Sequence, residues 1–323
     1  MQKLVGIARL AADSRPIEEK RQIEYRELST RSFLTRCDST RVPFSWTINP
    51  YRGCEFGCKY CYARYAHEFM ELRDPSDFEH KIFVKQFNPF PFREELRKIP
   101  LGESIALGTA TDPYQPAERR YLITHAILRV FSECSGYRLS MITKSNLIPR
   151  DIDLLSEVAR RHYLSIAITI TTTKPELARL IEPLAPCPDL RLGAVSKLSQ
   201  AGLRTRVYCA PVLPLINDDE SSLDALASAA SKAGACGFGG SVLFLKPCSS
   251  RVFFPFLEQR FPHLARRYRE RFERDAYLRG DYQAKIRERI RRVSRRYWFD
   301  HAQPESEPEL WPQDPQLLLF RSP

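Results

Sequence analysis

The chain has 323 residues, 43% hydrophobic and 11% aromatic, with 50 Lys and Arg against 39 Asp and Glu, a net charge of +11. That much apolar material builds a substantial core and excludes global disorder. No run approaches the ~18–20 consecutive apolar residues of a membrane helix, and the length fits one α/β barrel of about 250 residues with extensions, or two domains.

Residues 1–43 are mixed and charged and read as an N-terminal extension, with a short helix expected near Ile17–Leu28. The opening apolar stretch is short and broken by Arg9. No secretory signal is read there, and a cytoplasmic location is expected.

From Phe44 the rhythm changes, and residues 44–260 read as the core domain. Short β-branched or apolar runs predict strands at Phe44–Ile48, Lys81–Lys85, Ser104–Thr109, Arg138–Thr143, Leu164–Thr171, Thr205–Ala210 and Ser241–Leu245. Apolar residues at helical spacing predict helices at Glu118–Ser132, Asp151–Arg161, Leu190–Ala201 and Asp219–Ala233. The last two are followed by Gly202 and Gly234, good helix stops. Strand–helix alternation of this kind predicts a parallel sheet with covering helices. The β-branched run from Leu164 suggests a strand buried on both faces.

Residues 261–300 form a basic helical extension. Leu264–Phe299 alone carries 13 Lys and Arg against 5 acidic residues, so most of the net charge lies here. Two readings stand: a solvated helical cap broken at Gly280, or a contact surface for a phosphate backbone, which would make nucleic acid a partner. Residues 301–323 read as a loose tail; the stretch Ala302–Pro323 holds five prolines.

Nine cysteines in a chain of this length, with no signal peptide, argue for reduced thiols or metal ligands. Three of them, Cys54, Cys58 and Cys61, fall within eight residues at C-x₃-C-x₂-C spacing, directly after a predicted strand. Gly53 and Gly57 let the backbone fold tightly around whatever the sulfurs hold. Crowded thiolates repel one another, so the spacing implies a cation or a cluster. Structural zinc would need a fourth ligand such as His67 or a remote cysteine. Accidental buried cysteines are the blandest alternative. An iron–sulfur cluster is favoured, with one iron left open because three cysteines cannot fill the usual four positions.

The same residues carry a family resemblance. The C-x₃-C-x₂-C loop with Tyr60 before its last cysteine resembles the signature of radical S-adenosylmethionine enzymes. The words Asn49–Cys54 (NPYRGC), Tyr60–Arg64 (YCYAR), Gly108–Gln115 (GTATDPYQ) and Thr143–Ser145 (TKS) resemble the branch related to spore photoproduct lyase, often labelled DNA repair photolyase-like. The resemblance runs roughly from Phe44 to Arg260.

It implies an α/β fold, a partial (β/α)6 TIM-like barrel. It also implies a [4Fe-4S] cluster on Cys54, Cys58 and Cys61, with S-adenosyl-L-methionine chelating the open iron. Reductive cleavage would give a 5′-deoxyadenosyl radical that abstracts hydrogen from substrate. A one-electron donor such as flavodoxin or ferredoxin is implied as partner. The resemblance also points to Tyr60, Gly108, Thr109, Thr111, Asp112, Lys144, Ser145, Thr169, Thr171 and Pro211 as cofactor-binding positions. Alternation would place Thr169, Thr171 and Thr173 on one face. For Asp112 a turn-forming role competes, and for Lys144 an exposed loop position. Tyr51, Arg52, Tyr62 and Arg64 bracket the loop, while His67 reads as a packing residue. The lyases also carry a hydrogen-donating cysteine after their second barrel strand, where this chain has none, so Cys209 and Cys248 are the candidate alternative thiols. Three functions are weighed: an enzyme acting on nucleic acid, one acting on a peptide or small molecule, and a non-enzymatic metal- or nucleic-acid-binding protein.

Overall fold

The computed structural model describes residues 4–20, 23–39, 42–273, 275–278 and 281–299. Among them eleven strands form two sheets. They are β1 (Arg15–Lys20), β2 (Ile23–Leu28), β3 (Leu34–Arg36), β4 (Trp46–Ile48), β5 (Tyr51–Arg52), β6 (Lys81–Lys85), β7 (Ser104–Leu107), β8 (Arg138–Thr143), β9 (Tyr163–Thr169), β10 (Thr205–Val212) and β11 (Gly237–Val242).

The larger sheet runs β11-β10-β9-β8-β7-β4-β3. Its six strands from β4 to β11 are all parallel to their neighbours, and only β3 is antiparallel. Six parallel strands in chain order, joined through helices, are a partial (β/α)6 barrel; no pairing closes β11 back onto β4.

Along β8, β9 and β10 alternate side chains are buried beneath the helices. Leu139, Met141, Leu164, Ile166, Ile168, Val207 and Cys209 belong to one large apolar cluster with helix residues such as Leu155, Val195 and Leu198. Strand β9 is therefore not buried equally on both faces, as its composition suggests. Tyr163, Ser165 and Ala167 are half-buried because they look into the open barrel.

The N-terminal extension differs from the sequence expectation. In place of the helix expected near Ile17–Leu28, Arg15–Lys20 and Ile23–Leu28 are antiparallel strands, and a short helix lies earlier at Gly6–Ala12. Pairing decides this: β2 lies parallel to β6 from Glu24–Lys81 to Leu28–Lys85, which buries Tyr25 and Leu28. Strand β6 thus belongs to a second sheet, β1-β2-β6-β5, and not to the barrel. With β3 paired to β4, the described part of this N-terminal segment adds strands β1, β2 and β3 to the two sheets.

The predicted helix Glu118–Ser132 is two helices, Glu118–Tyr121 and Ile123–Ser132, hinged at Leu122 with φ 54°. The buried Glu118 carboxylate explains the break. It accepts from Thr124 N at 2.8 Å and His125 N at 3.0 Å, satisfying free amides of the second helix's first turn. The basic extension forms helices Pro262–Phe272 and Tyr282–Arg296, while Gly280 and the tail 301–323 lie outside the described residues. No described helix is long and apolar enough to cross a membrane.

Candidate active site

A cavity of about 590 Å³ opens at the C-terminal ends of the parallel strands, bounded on one side by the cysteine loop. Cys54, Cys58 and Cys61 all line it, and all are free thiols. Burial pushes each thiol up, Cys58 to about 12, so empty of any positive group they would hold their protons. A cation or cluster reverses that balance. No three His, Cys, Asp or Glu side chains among the described residues converge on a single-ion position. The three sulfurs line one cavity, and thiolates are ligands for soft metals such as zinc or the iron of iron–sulfur clusters.

The loop is held by the segment Gly108–Gln115. Gln115 Nε2 donates to Gly53 O at 3.1 Å and to Thr111 Oγ1 at 3.0 Å, while its Oε1 accepts from Glu55 N at 3.0 Å. Thr111 Oγ1 donates to Gly53 O at 2.6 Å. Asn49 Oδ1 accepts from Ala110 N at 2.7 Å. Thr109 Oγ1 lies 2.5 Å from Thr47 Oγ1. Gly53 has φ +84°, and a Cβ there would stand 2.8 Å from Lys81 O and Phe78 O, so only glycine fits. On its other side Lys59 N donates to Ile181 O at 2.9 Å. Arg64, 2% exposed, pairs with Glu79 and donates to Cys58 O at 3.1 Å.

Of the positions singled out in the sequence, Tyr60, Gly108, Thr109, Thr111, Asp112, Lys144, Thr169 and Pro211 line the cavity with the three cysteines. Ser145, Thr171, Cys209 and Cys248 do not. Ser145 closes a turn, its Oγ accepting from Leu147 N at 3.1 Å. Strand β9 ends at Thr169, so its alternation stops there and Thr171 turns into the protein to donate to Glu182. Cys209 points into the layer beneath the helices, and Cys248 is buried at the start of helix Pro247–Arg260. Neither cysteine is among the residues that line the cavity.

Asp112 is fully engaged. It accepts from Thr143 Oγ1 at 2.6 Å, Tyr114 N at 2.9 Å and Lys144 N at 2.7 Å. Its carboxylate therefore ties the end of β7 to the end of β8. Lys144 behaves otherwise: its Nζ lies 5.6 Å over the Tyr60 ring. Burial pulls its pKa down, but Cys58 and Glu182 outweigh that and keep it charged.

Sequence reasoning missed Glu182 and Arg191, both closed to solvent and 2.5 Å apart. Tyr60 OH donates to Glu182, so the ring before Cys61 is anchored sideways. The local run Ile181-Glu182-Pro183 offers no signal of this, because the partner arrives from another helix.

The model of the Radical SAM superfamily matches residues 48–226. An uncharacterized protein of Mycobacterium tuberculosis is 36% identical over 304 residues, 92% of this chain and 88% of that one. An uncharacterized protein of Methanocaldococcus jannaschii is 27% identical over 224 residues, 69% of this chain and 79% of that one. Among solved structures, spore photoproduct lyase complexed with dinucleoside spore photoproduct superposes with TM-score 0.64, at 15% identity, over 85% of this chain and 79% of that one. That likeness establishes the shared fold. Matched by the family's model over more than half its length, on the six-stranded parallel frame that carries the cysteine loop, the chain belongs to the radical SAM superfamily and is an enzyme.

Proposed function

We propose that Cys54, Cys58 and Cys61 hold a [4Fe-4S] cluster at the cavity wall, that S-adenosylmethionine binds beside it, and that the reaction is hydrogen abstraction from a nucleic-acid substrate. The observation that carries this reading is the set of three buried free thiols on one wall of a cavity at the strand C-termini, where barrel enzymes place their chemistry. The cluster, once bound and reduced by a donor such as flavodoxin or ferredoxin, supplies the electron that cleaves the sulfonium C–S bond to methionine and a 5′-deoxyadenosyl radical.

This chain's residues bind and orient. Gly108, with φ +85°, turns the chain at the end of β7 on the cavity lining, its missing Cβ leaving room for Pro113. The Lys144 ammonium, charged and facing the cavity, suits the cofactor's carboxylate. Thr169 and Pro211 line the wall further along, with the main chain of Tyr60 opposite. Asp112 acts by positioning the Thr143–Lys144 turn, from which its carboxylate accepts two hydrogen bonds.

Nucleic acid is favoured by the +11 charge and by Arg287, from the basic helix, on the cavity lining. Anaerobic reconstitution tests the whole. About four irons per chain and reductive formation of 5′-deoxyadenosine are expected. Zinc in the site with no cleavage would overturn the proposal.

A further inference from the structure

The mouth of the cavity carries a continuous strip of aromatic rings that the cofactor chemistry does not use. Phe69 meets Tyr65 with centroids 5.7 Å apart, Tyr65 meets Tyr62 at 6.4 Å, Tyr62 meets Phe244 at 6.2 Å, and Phe244 stacks on Tyr277 at 4.3 Å. Tyr62, Phe244 and Tyr277 line the cavity, and Tyr65 and Phe69 carry the strip outward. Phe69 is 60% exposed and Tyr62 41%. Core aromatics are buried; a linked row of rings running from solvent into a reaction cavity is a surface awaiting a flat partner.

Three separate segments build the strip. Tyr62, Tyr65 and Phe69 follow the cysteine loop, Phe244 follows β11, and Tyr277 is fixed opposite it by a β-bridge and by Leu245 N donating to Ala276 O at 2.9 Å. Two cations accompany the rings. Lys246 Nζ sits 3.7 Å over the Tyr65 ring and 6.0 Å from the Phe244 ring. Arg287 lies at the cavity edge. Neither has an acidic partner among the described residues, so each keeps its charge for an incoming anion.

We propose that this strip binds single-stranded nucleic acid, with unpaired bases stacked on the rings and phosphates met by Lys246 and Arg287. The proposal rests on the nucleic-acid reading above and narrows it. Bases inside a duplex show their faces only to one another, so exposed rings can be met only by unpaired or extruded bases. A recessed cavity makes the same demand of the reacting nucleotide. Several arginines elsewhere in the basic extension are already engaged. Arg292 and Arg296 are paired with Glu220, Arg269 with Glu258, and Arg289 donates to Asp218 O at 2.7 Å.

Fluorescence anisotropy on the reconstituted holoenzyme tests it, using DNA and RNA single strands of about twelve nucleotides and the matching duplex. The single strands should bind at least about tenfold tighter than the duplex. Tyr65→Leu and Phe244→Leu should each weaken single-strand binding about tenfold, while Tyr65→Phe keeps it. Phe69→Ala, at an exposed position, gives the same direction without threatening the fold. Lys246→Gln should lower the slope of log affinity against log salt by about 0.7. Equal binding of duplex and single strand, or full binding by the leucine and alanine variants, overturns the inference. Measuring 5′-deoxyadenosine in the same preparations separates the two levels: cleavage without strand preference sinks this inference alone, and absence of both iron and cleavage sinks the function it rests on.

Discussion

Glu182 and Arg191 face each other at 2.5 Å with both side chains closed to solvent, against the back of the cysteine loop. Burial by itself would push the Glu182 carboxyl up, but Arg191 first and Lys144 next hold it below the usual carboxylate range. Tyr60 and Thr171 add hydrogen bonds to the same carboxylate. One buried ion pair thereby fixes the residue that precedes Cys61.

Removing one partner should be worse than removing both. Arg191→Met leaves a buried charge unmatched and should cost about 3–5 kcal/mol. The double variant Glu182→Gln/Arg191→Met should recover part of that loss. Urea unfolding of the three proteins checks it; additive or larger loss in the double variant would contradict the pairing.

His67 makes folding sensitive to acid. It is 2% exposed, and burial lowers its pKa to about 4. Its Nε2 faces Lys81 O at 3.0 Å and its Nδ1 has no partner, the pattern of a neutral ring donating through Nε2. The unfolded chain takes up a proton near pH 6.5 that the folded protein refuses until about pH 4. Stability is therefore complete above the unfolded pKa and falls as pH drops, by about 2 kcal/mol between pH 7 and pH 5. His67→Gln should flatten that part of the slope in unfolding measured at the two pH values.

Gly108 should tolerate no side chain. Its φ is +85°, and a Cβ would lie 2.4 Å from Pro113 Cδ. Gly108→Ala should cost at least about 1–3 kcal/mol from the backbone conformation alone, and it should also lower S-adenosylmethionine affinity. Thermal unfolding and equilibrium dialysis read the two effects separately. At Gly102, also at positive φ but with open space around its Cβ position, alanine should cost backbone strain only.

Gln115→Leu should loosen the cysteine loop more than the fold. It removes the Gln115 hydrogen bonds to Glu55 N and to Gly53 O, the latter still held by Thr111, at about 0.5–1.5 kcal/mol for each bond lost. Faster iron loss to a chelator, with secondary structure retained by circular dichroism, is the expected outcome. Iron retention equal to the parent protein would show that the clamp is dispensable.

Deleting the basic helix should unfold the protein, not merely discharge it. Ile286, Ile290 and Val293 of Tyr282–Arg296 are buried in the main apolar cluster, and a Cβ on Gly240 of β11 would stand 2.9 Å from Ile290. The helix covers the open edge of the sheet. Aggregation of a chain ending at residue 281 is expected, whereas Arg291→Glu and Arg295→Glu on its exposed side should change stability by less than about 0.5 kcal/mol.

The sequence by itself determined what local order can encode. Spacing brought Cys54, Cys58 and Cys61 together, because eight residues of chain bounded by Gly53 and Gly57 cannot separate them far. Alternating strand and helix patterns located β4 and β7 to β10, since period and turn residues are properties of neighbours in the chain, whereas the strand expected at Ser241–Leu245 lies earlier, at Gly237–Val242. The words around Gly108 and Lys144 fell at strand ends, and those ends face the cavity.

What only the tertiary structure decided are relations between distant segments. β1 and β2 are strands because β6, more than fifty residues on, offers β2 an edge to pair with. Asp112 is saturated because Thr143 and Lys144 arrive beside it. Glu182 is a buried anion because Arg191 meets it there. The charge of 264–299 is partly spent on Glu220, Asp224 and Glu258. And five aromatic residues from three segments become one strip at the cavity mouth. Propensity and spacing act over a few residues, whereas burial, ion pairing and ring stacking depend on which surfaces the folded chain brings into contact.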